Sequence, residues 1–89
     1  MRSTGKIVSV RILRSDSPYV QLTVQYNDDA SRYYLTDGAR FESALIKMAD
    51  YQAQPDSFVV GADVYYWFSS TVDRVSGKVR YYMSVEPVN

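Results

Sequence analysis

Residues 19–26 read Tyr-Val-Gln-Leu-Thr-Val-Gln-Tyr, a strict two-residue alternation. Successive side chains on a strand point to opposite faces. Val20, Leu22, Val24 and Tyr26 therefore share one face, and Tyr19, Gln21, Thr23 and Gln25 share the other. An apolar face backed by a polar one belongs to an antiparallel sheet that covers a core on one side and meets solvent on the other.

The flanking segments extend this pattern. Upstream, Lys6–Arg14 reads as a strand with Val8, Val10 and Ile12 on one face and Ser9 and Arg11 on the other, followed by a turn at Asp16, Ser17 and Pro18. Downstream, Asn27, Asp28, Asp29 and Ala30 read as a hairpin turn into a third strand over Ser31–Thr36. That register sets Val24 against Tyr33, Leu22 against Leu35, Thr23 against Tyr34 and Gln25 against Arg32. Asp37 is placed to cap a helix over Gly38–Ala53. Phe41, Ala44, Leu45 and Met48 form its apolar stripe, and Pro55 ends it.

The last third reads as one long hairpin. An outgoing strand runs from Asp63 towards Val75, Ser76 and Gly77 turn, and Lys78–Glu86 returns. This register pairs Phe68 with Val85 and Val72 with Tyr81 inside, and Asp73 with Arg80, Thr71 with Tyr82 and Trp67 with Glu86 outside. Beyond Ser70 the hairpin is expected to project past the sheet as a mobile wing. Strand, strand, strand, helix, strand, strand is the order of a five-stranded Greek-key OB barrel, mostly β with one helix. An open antiparallel sheet with the helix on one face is the alternative. The 89 residues are expected to form a single OB-like domain over 1–89, with the thin core of a small chain.

Composition removes whole classes of chemistry. The chain has no Cys and no His, which excludes thiol nucleophiles, disulfides, imidazole catalysis and the usual zinc sites. Ten Lys and Arg balance ten Asp and Glu, so a strongly basic character is excluded for the whole chain but not for a patch. Asp16, Asp28 and Asp29 fall in turns, Asp37 at a cap, and no carboxylate pair sits on neighbouring inward strand positions. No nucleophile elbow and no glycine-rich phosphate loop is present. The reading is non-catalytic, with no cofactor and no metal. No apolar stretch approaches the ~20 residues of a membrane helix, and the first ten residues lack a signal-peptide core. A protein of the cytoplasm is expected, the host's if the chain is phage-encoded, with no membrane partner.

Nine tyrosines, three phenylalanines and Trp67 remain to be placed. Six tyrosines form the adjacent pairs 33/34, 65/66 and 81/82, so on strands each pair sends one ring inward and one outward. Two faces are candidate sites. The outer face of the first three strands carries Ser9, Arg11, Tyr19, Gln21, Thr23, Gln25, Arg32, Tyr34 and Thr36 and no acid. Arginine neutralises phosphate, tyrosine stacks on bases, and Gln and Thr bond to either. A plain solvated sheet face accounts for the same residues. The outer face of the last hairpin carries Tyr65, Trp67, Thr71, Arg80 and Tyr82, with Arg74 and Lys78 near the tip. Tyr65, Trp67 and Tyr82 suit an oligomer or partner contact, and the tip cations suit phosphate.

This arrangement resembles small single-stranded-DNA-binding OB proteins of the phage and bacterial types. Gly61, Ser69, Ser70, Gly77 and Pro87 fall at spacings similar to the filamentous-phage family. The helix over Gly38–Ala53 departs from that family and is closer to the bacterial type. The bacterial type adds a long acidic tail, and recruitment through such a tail is not expected after Asn89. The resemblance implies sequence-tolerant coating of single-stranded DNA in replication, as a homodimer or larger homo-oligomer; on the reading of the two faces, the expected nucleic-acid contacts are Arg11, Tyr19, Gln21, Thr23, Arg32, Tyr34, Arg74, Lys78 and Arg80. The alternative is a small adaptor, inhibitor or virion component that binds a protein partner through its Tyr- and Trp-rich surface. Net neutrality and a pI near 6.1 favour that second class.

Overall fold

The computed structural model describes residues 2–14, 16–27 and 39–88. Five strands close into a barrel: β1 (Ser3–Ile12), β2 (Tyr19–Asn27), β3 (Ala39–Lys47), β4 (Asp63–Val72) and β5 (Val79–Pro87). The order round the barrel is β1-β2-β3-β5-β4, and β4 pairs back onto β1. All neighbours are antiparallel except β3 and β5, which meet in parallel at Ala44 and Met83. A short helix α1 (Met48–Ala53) and a 3-10 turn (Pro55–Phe58) sit between β3 and β4. The chain is thus a mostly β, five-stranded, OB-like barrel with one short helix and a long C-terminal hairpin.

β2 is the centre of the sheet, as its alternation requires. Val20, Leu22 and Val24 are fully buried, and Tyr26 packs against the core edge. Ile7, Ala44, Ile46, Val64 and Met83 complete the inside from the other four strands. Phe58, delivered by the 3-10 turn, fills one end together with Met48 and Tyr51 of α1. The open antiparallel sheet is excluded by the closure of β4 on β1.

β1 begins at Ser3 rather than at Lys6. Its first part, Ser3–Lys6, pairs with β4, and Lys6–Ile12 pairs with β2. The register slips between Ile7 and Ser9, leaving Val8 as the extra residue of a bulge. Gly5 and Ile7 therefore point inward before the bulge and Val10 after it, while Ile12 is exposed. Val8, Val10 and Ile12 are not the continuous inward row that simple alternation gives.

The largest correction concerns Gly38–Ala53. Only Met48–Ala53 is helical, and residues 39–47 form β3 instead. Every residue of β3 is paired with β2, from Tyr19 opposite Lys47 to Asn27 opposite Ala39. The apolar letters that fit a helical stripe also fit a strand. Ala44 and Ile46 face in, and Phe41 and Leu45 face out at 61% and 57% exposure. Nine ladder partners along β2 outweigh a local helical preference that is worth tenths of a kcal/mol per residue.

The expected strand Ser31–Thr36, with Arg32 and Tyr34, lies outside the described residues. The register that accompanied it is overturned, because both edges of β2 are occupied by β1 and β3. Thr23 stands opposite Ser43 and Gln25 opposite Phe41, in place of Tyr34 and Arg32.

The C-terminal hairpin forms with its faces as expected but its register two residues off. Phe68 pairs with Met83, Thr71 with Arg80 and Val72 with Val79. The loop is longer than Ser76-Gly77. The Asp73 amide donates to the Lys78 carbonyl at 2.8 Å, and the Gly77 amide donates to the Asp73 carbonyl at 2.8 Å. The Asp73 carboxylate accepts from the amides of Val75 (2.8 Å) and Ser76 (3.2 Å). Gly77 holds φ +72°, where a Cβ is disfavoured. Those bonds within the loop select four connecting residues rather than two.

Candidate nucleic-acid interface

The outer surface of β1, β2 and β3 is one continuous sheet face. Arg11 stands opposite Gln21, and Ser9 opposite Thr23. On the other side of β2, Tyr19 meets Lys47, Gln21 meets Leu45, Thr23 meets Ser43 and Gln25 meets Phe41. The amide of Gln21 donates to the Ser43 hydroxyl at 3.3 Å, tying the middle of the face together. Between Ser9 and Arg11, Tyr19 and Gln25, and Phe41 and Lys47, no outward position carries a carboxylate. Aromatic and apolar groups lie among the polar ones, with Tyr19, Phe41 and Leu45 all exposed. The face therefore offers flat rings, amide and hydroxyl groups, and a cation at either side, Arg11 and Lys47.

The cations divide into two sets. Arg2 pairs with Glu86 at 3.2 Å, Lys6 with Asp63 at 3.3 Å and Arg14 with Asp16 at 3.8 Å. Among the described residues, Arg11, Lys47, Arg74, Lys78 and Arg80 stand in no ion pair. These five are the ones on the outer sheet face and on the projecting hairpin. An exposed cation without a carboxylate keeps its full attraction for an anionic ligand.

Of the residues expected at the site, the structure brings Arg11, Tyr19, Gln21 and Thr23 together on one face. Arg80 sits on the outer face of β5 opposite Thr71, and Arg74 and Lys78 belong to the hairpin loop and its edge. Phe41, Ser43, Leu45 and Lys47 escape the sequence reading, which assigns their stretch to a helix. Their signal is nonetheless present: Phe41-Ser43-Leu45-Lys47 alternates with Glu42-Ala44-Ile46.

The hairpin aromatics separate by face and by distance from the barrel. Tyr65 turns outward beneath Arg2, whose guanidinium lies 5.2 Å from the ring centroid. Tyr66 turns inward to Tyr26 and Phe68, with ring centroids 5.0 and 5.9 Å away. That pair follows the one-in, one-out rule. Tyr81 and Tyr82 also turn to opposite faces, but both are exposed. Tyr81 is on the inner face of the hairpin, where no core covers it. Trp67 is also outward and 45% exposed. In parallel register next to Ala44 and Met83, Ser43 and Tyr82 turn to the same outer surface, which joins Tyr82 to the β1-β2-β3 face.

Among the described residues, no group of three or more Asp or Glu could hold a metal ion. Asp73 has a shifted acidity. Hydrogen bonds from the Val75 and Ser76 amides hold its carboxyl below the usual value, against a small opposing effect of desolvation. No helix among the described residues is long and apolar enough to cross a membrane. No known family's model matches this chain, and neither a curated protein nor a solved structure matches it.

Proposed function

We propose that this chain is a non-catalytic, sequence-tolerant binder of single-stranded nucleic acid, DNA in the first instance. The observation that carries the reading is the carboxylate-free outer face of β1-β2-β3, with exposed Tyr19 and Phe41 between Arg11 and Lys47. Bases stack on exposed rings whatever their sequence, and unpaired cations take the phosphates. In OB barrels the outer face of the second and third strands, with the loops at its ends, is where oligonucleotides bind. The unpaired cations Arg74, Lys78 and Arg80 lengthen the basic track along the hairpin.

Leu45 and the zero net charge favour a second reading, in which the same face seats a protein partner. An apolar aliphatic group contributes little to stacking and more to a protein interface core. Anisotropy of a labelled single-stranded homopolymer, with a duplex of equal length alongside, separates the two across a salt series. Single-strand binding that weakens steadily with salt, and exceeds duplex binding, is the expected result. Absence of any binding at low salt overturns the nucleic-acid reading and leaves the protein-partner one.

A further inference from the structure

β3 and β5 close the barrel through a single bridge, Ala44 to Met83, whereas the other joins between strands are continuous ladders. Past that bridge, towards α1, the two strands part, and a groove of about 210 Å³ opens between them. Ile46, Phe58 and Val85 reach it from the core, α1 contributes Asp50 and Ala53, and β5 contributes Glu86. The groove opens where β3 passes into α1, a full strand length from the Asn27–Ala39 end of the sheet.

The direction of the β5 backbone fixes what it shows to this groove. The Asp73 amide donates to the Lys78 carbonyl, which starts the β4-β5 ladder. Bonded and non-bonded pairs alternate along an antiparallel ladder, so Arg80, Tyr82, Ser84 and Glu86 turn their amides to β4. Met83 and Val85 turn theirs to the β3 side. Met83 uses its groups in the bridge to Ala44. The β3-β5 ladder stops before Val85, whose amide faces the groove without a strand partner. A main-chain donor beside an apolar floor is matched by a main-chain acceptor that brings an apolar side chain with it. The charges narrow the choice further. No Lys or Arg lines the groove. Asp50 is exposed and stands in no ion pair among the described residues, while Glu86 is balanced by Arg2 at 3.2 Å. The rim therefore repels phosphate and attracts a cation.

We propose that this groove takes a short extended segment of a partner protein, in which one aliphatic side chain is flanked by lysine or arginine. The aliphatic group sits on Ile46, Phe58 and Val85. A carbonyl of the segment accepts from the Val85 amide, and a flanking cation meets Asp50. Neighbouring side chains on an extended segment point to opposite sides, so the cations start out towards solvent, and their long stems let the charged ends reach back to the rim. The space takes one aliphatic side chain and not the face of a helix. The proposal does not rest on the nucleic-acid reading: the groove differs in charge from the β1-β2-β3 face, and its test contains no nucleic acid.

The backbone amide resonances of the full chain are followed while acetyl-lysyl-leucyl-lysine amide is added to millimolar concentration. The amides of Val85, Asp50 and Ala53 are expected to shift together and to saturate. The same peptide with glutamate in place of lysine, or glycine in place of leucine, is expected to bind more than about fivefold more weakly. Asp50→Lys turns one attraction into a repulsion at an exposed site and is expected to weaken binding about three- to tenfold. Ala53→Phe fills the groove and is expected to abolish binding. Both positions are exposed, so the melting temperatures should stay near wild type, and either variant serves should the other fail to fold. In the free protein the Val85 amide is expected to exchange with solvent faster than the Ser84 amide, and the lysine peptide is expected to slow it. No saturating shift at millimolar peptide overturns the proposal. So does equal binding of the glutamate peptide, or a Val85 amide as protected as that of Ser84 before peptide is added. Shifts of these three amides with protein concentration alone would put a second copy in the groove and overturn it too.

Discussion

Phe41 on β3 and Gln25 on β2 are cross-strand partners on the outside of the barrel. The ring is held by the ladder beneath it, yet most of its area faces solvent. If this face stacks bases, Phe41→Ala removes about 1–3 kcal/mol, a loss of roughly fivefold to more than a hundredfold in affinity for a short single strand. Its melting temperature should stay close to wild type, because little buried surface is lost. Ile46→Ala, on the inward side of the same strand, should do the opposite and cost about 2–5 kcal/mol of stability. Anisotropy titrations and thermal melts of both variants check the pair.

Arg11 faces Gln21 on the same surface and stands in no ion pair among the described residues. Arg11→Ala should weaken single-strand binding similarly for different homopolymers. It should also flatten the slope of log affinity against log salt by about 0.7 for one lost phosphate contact. An unchanged slope removes Arg11 from the interface.

Gly5 is buried where β1 crosses between β2 and β4, opposite Val64. A Cβ there would lie 2.7 Å from Val24 Cγ1 and 2.8 Å from the Gln25 carbonyl oxygen. The second contact is with backbone and cannot move without disturbing the ladder. Gly5→Ala should therefore lower stability by about 1–3 kcal/mol, read as a lower midpoint in urea.

Asp73 has a carboxyl whose acidity is raised by the Val75 and Ser76 amides. Its pKa is lower folded than unfolded, so the ionised form favours the folded loop. That contribution is complete above the usual carboxylate range and is lost as pH falls through the lowered value. On acidification the Val75 and Ser76 amide resonances should shift together with the Asp73 carboxyl carbon. In Asp73→Asn the two amides should show no such transition. Shifts in the variant equal to those of wild type would assign the transition to another group.

The inside and outside of β2 are legible directly in residues 19–26, since parity on a strand is a local property. The same holds for the faces of the C-terminal hairpin, where even a two-residue error in register leaves Trp67, Thr71, Arg80 and Tyr82 on one side. Half of the outer face, Arg11, Tyr19, Gln21 and Thr23, is therefore legible in the sequence by itself. The other half is not. Phe41, Ala44, Leu45 and Met48 satisfy a helical spacing and a strand spacing alike, and no local preference separates the two. Closure decides between them: β2 needs a partner on each edge, and β3 fills the second from Ala39 to Lys47. The bulge at Val8 and the four-residue loop after Asp73 are set in the same way, by ladder bonds and carboxylate-to-amide bonds that exist only once the strands have met. Local alternation determines which side chains share a face within a strand. Which strands meet, and so which half-faces join into one surface, is decided by long-range hydrogen bonding and by the shared burial of Val24, Ala44 and Met83 in one core.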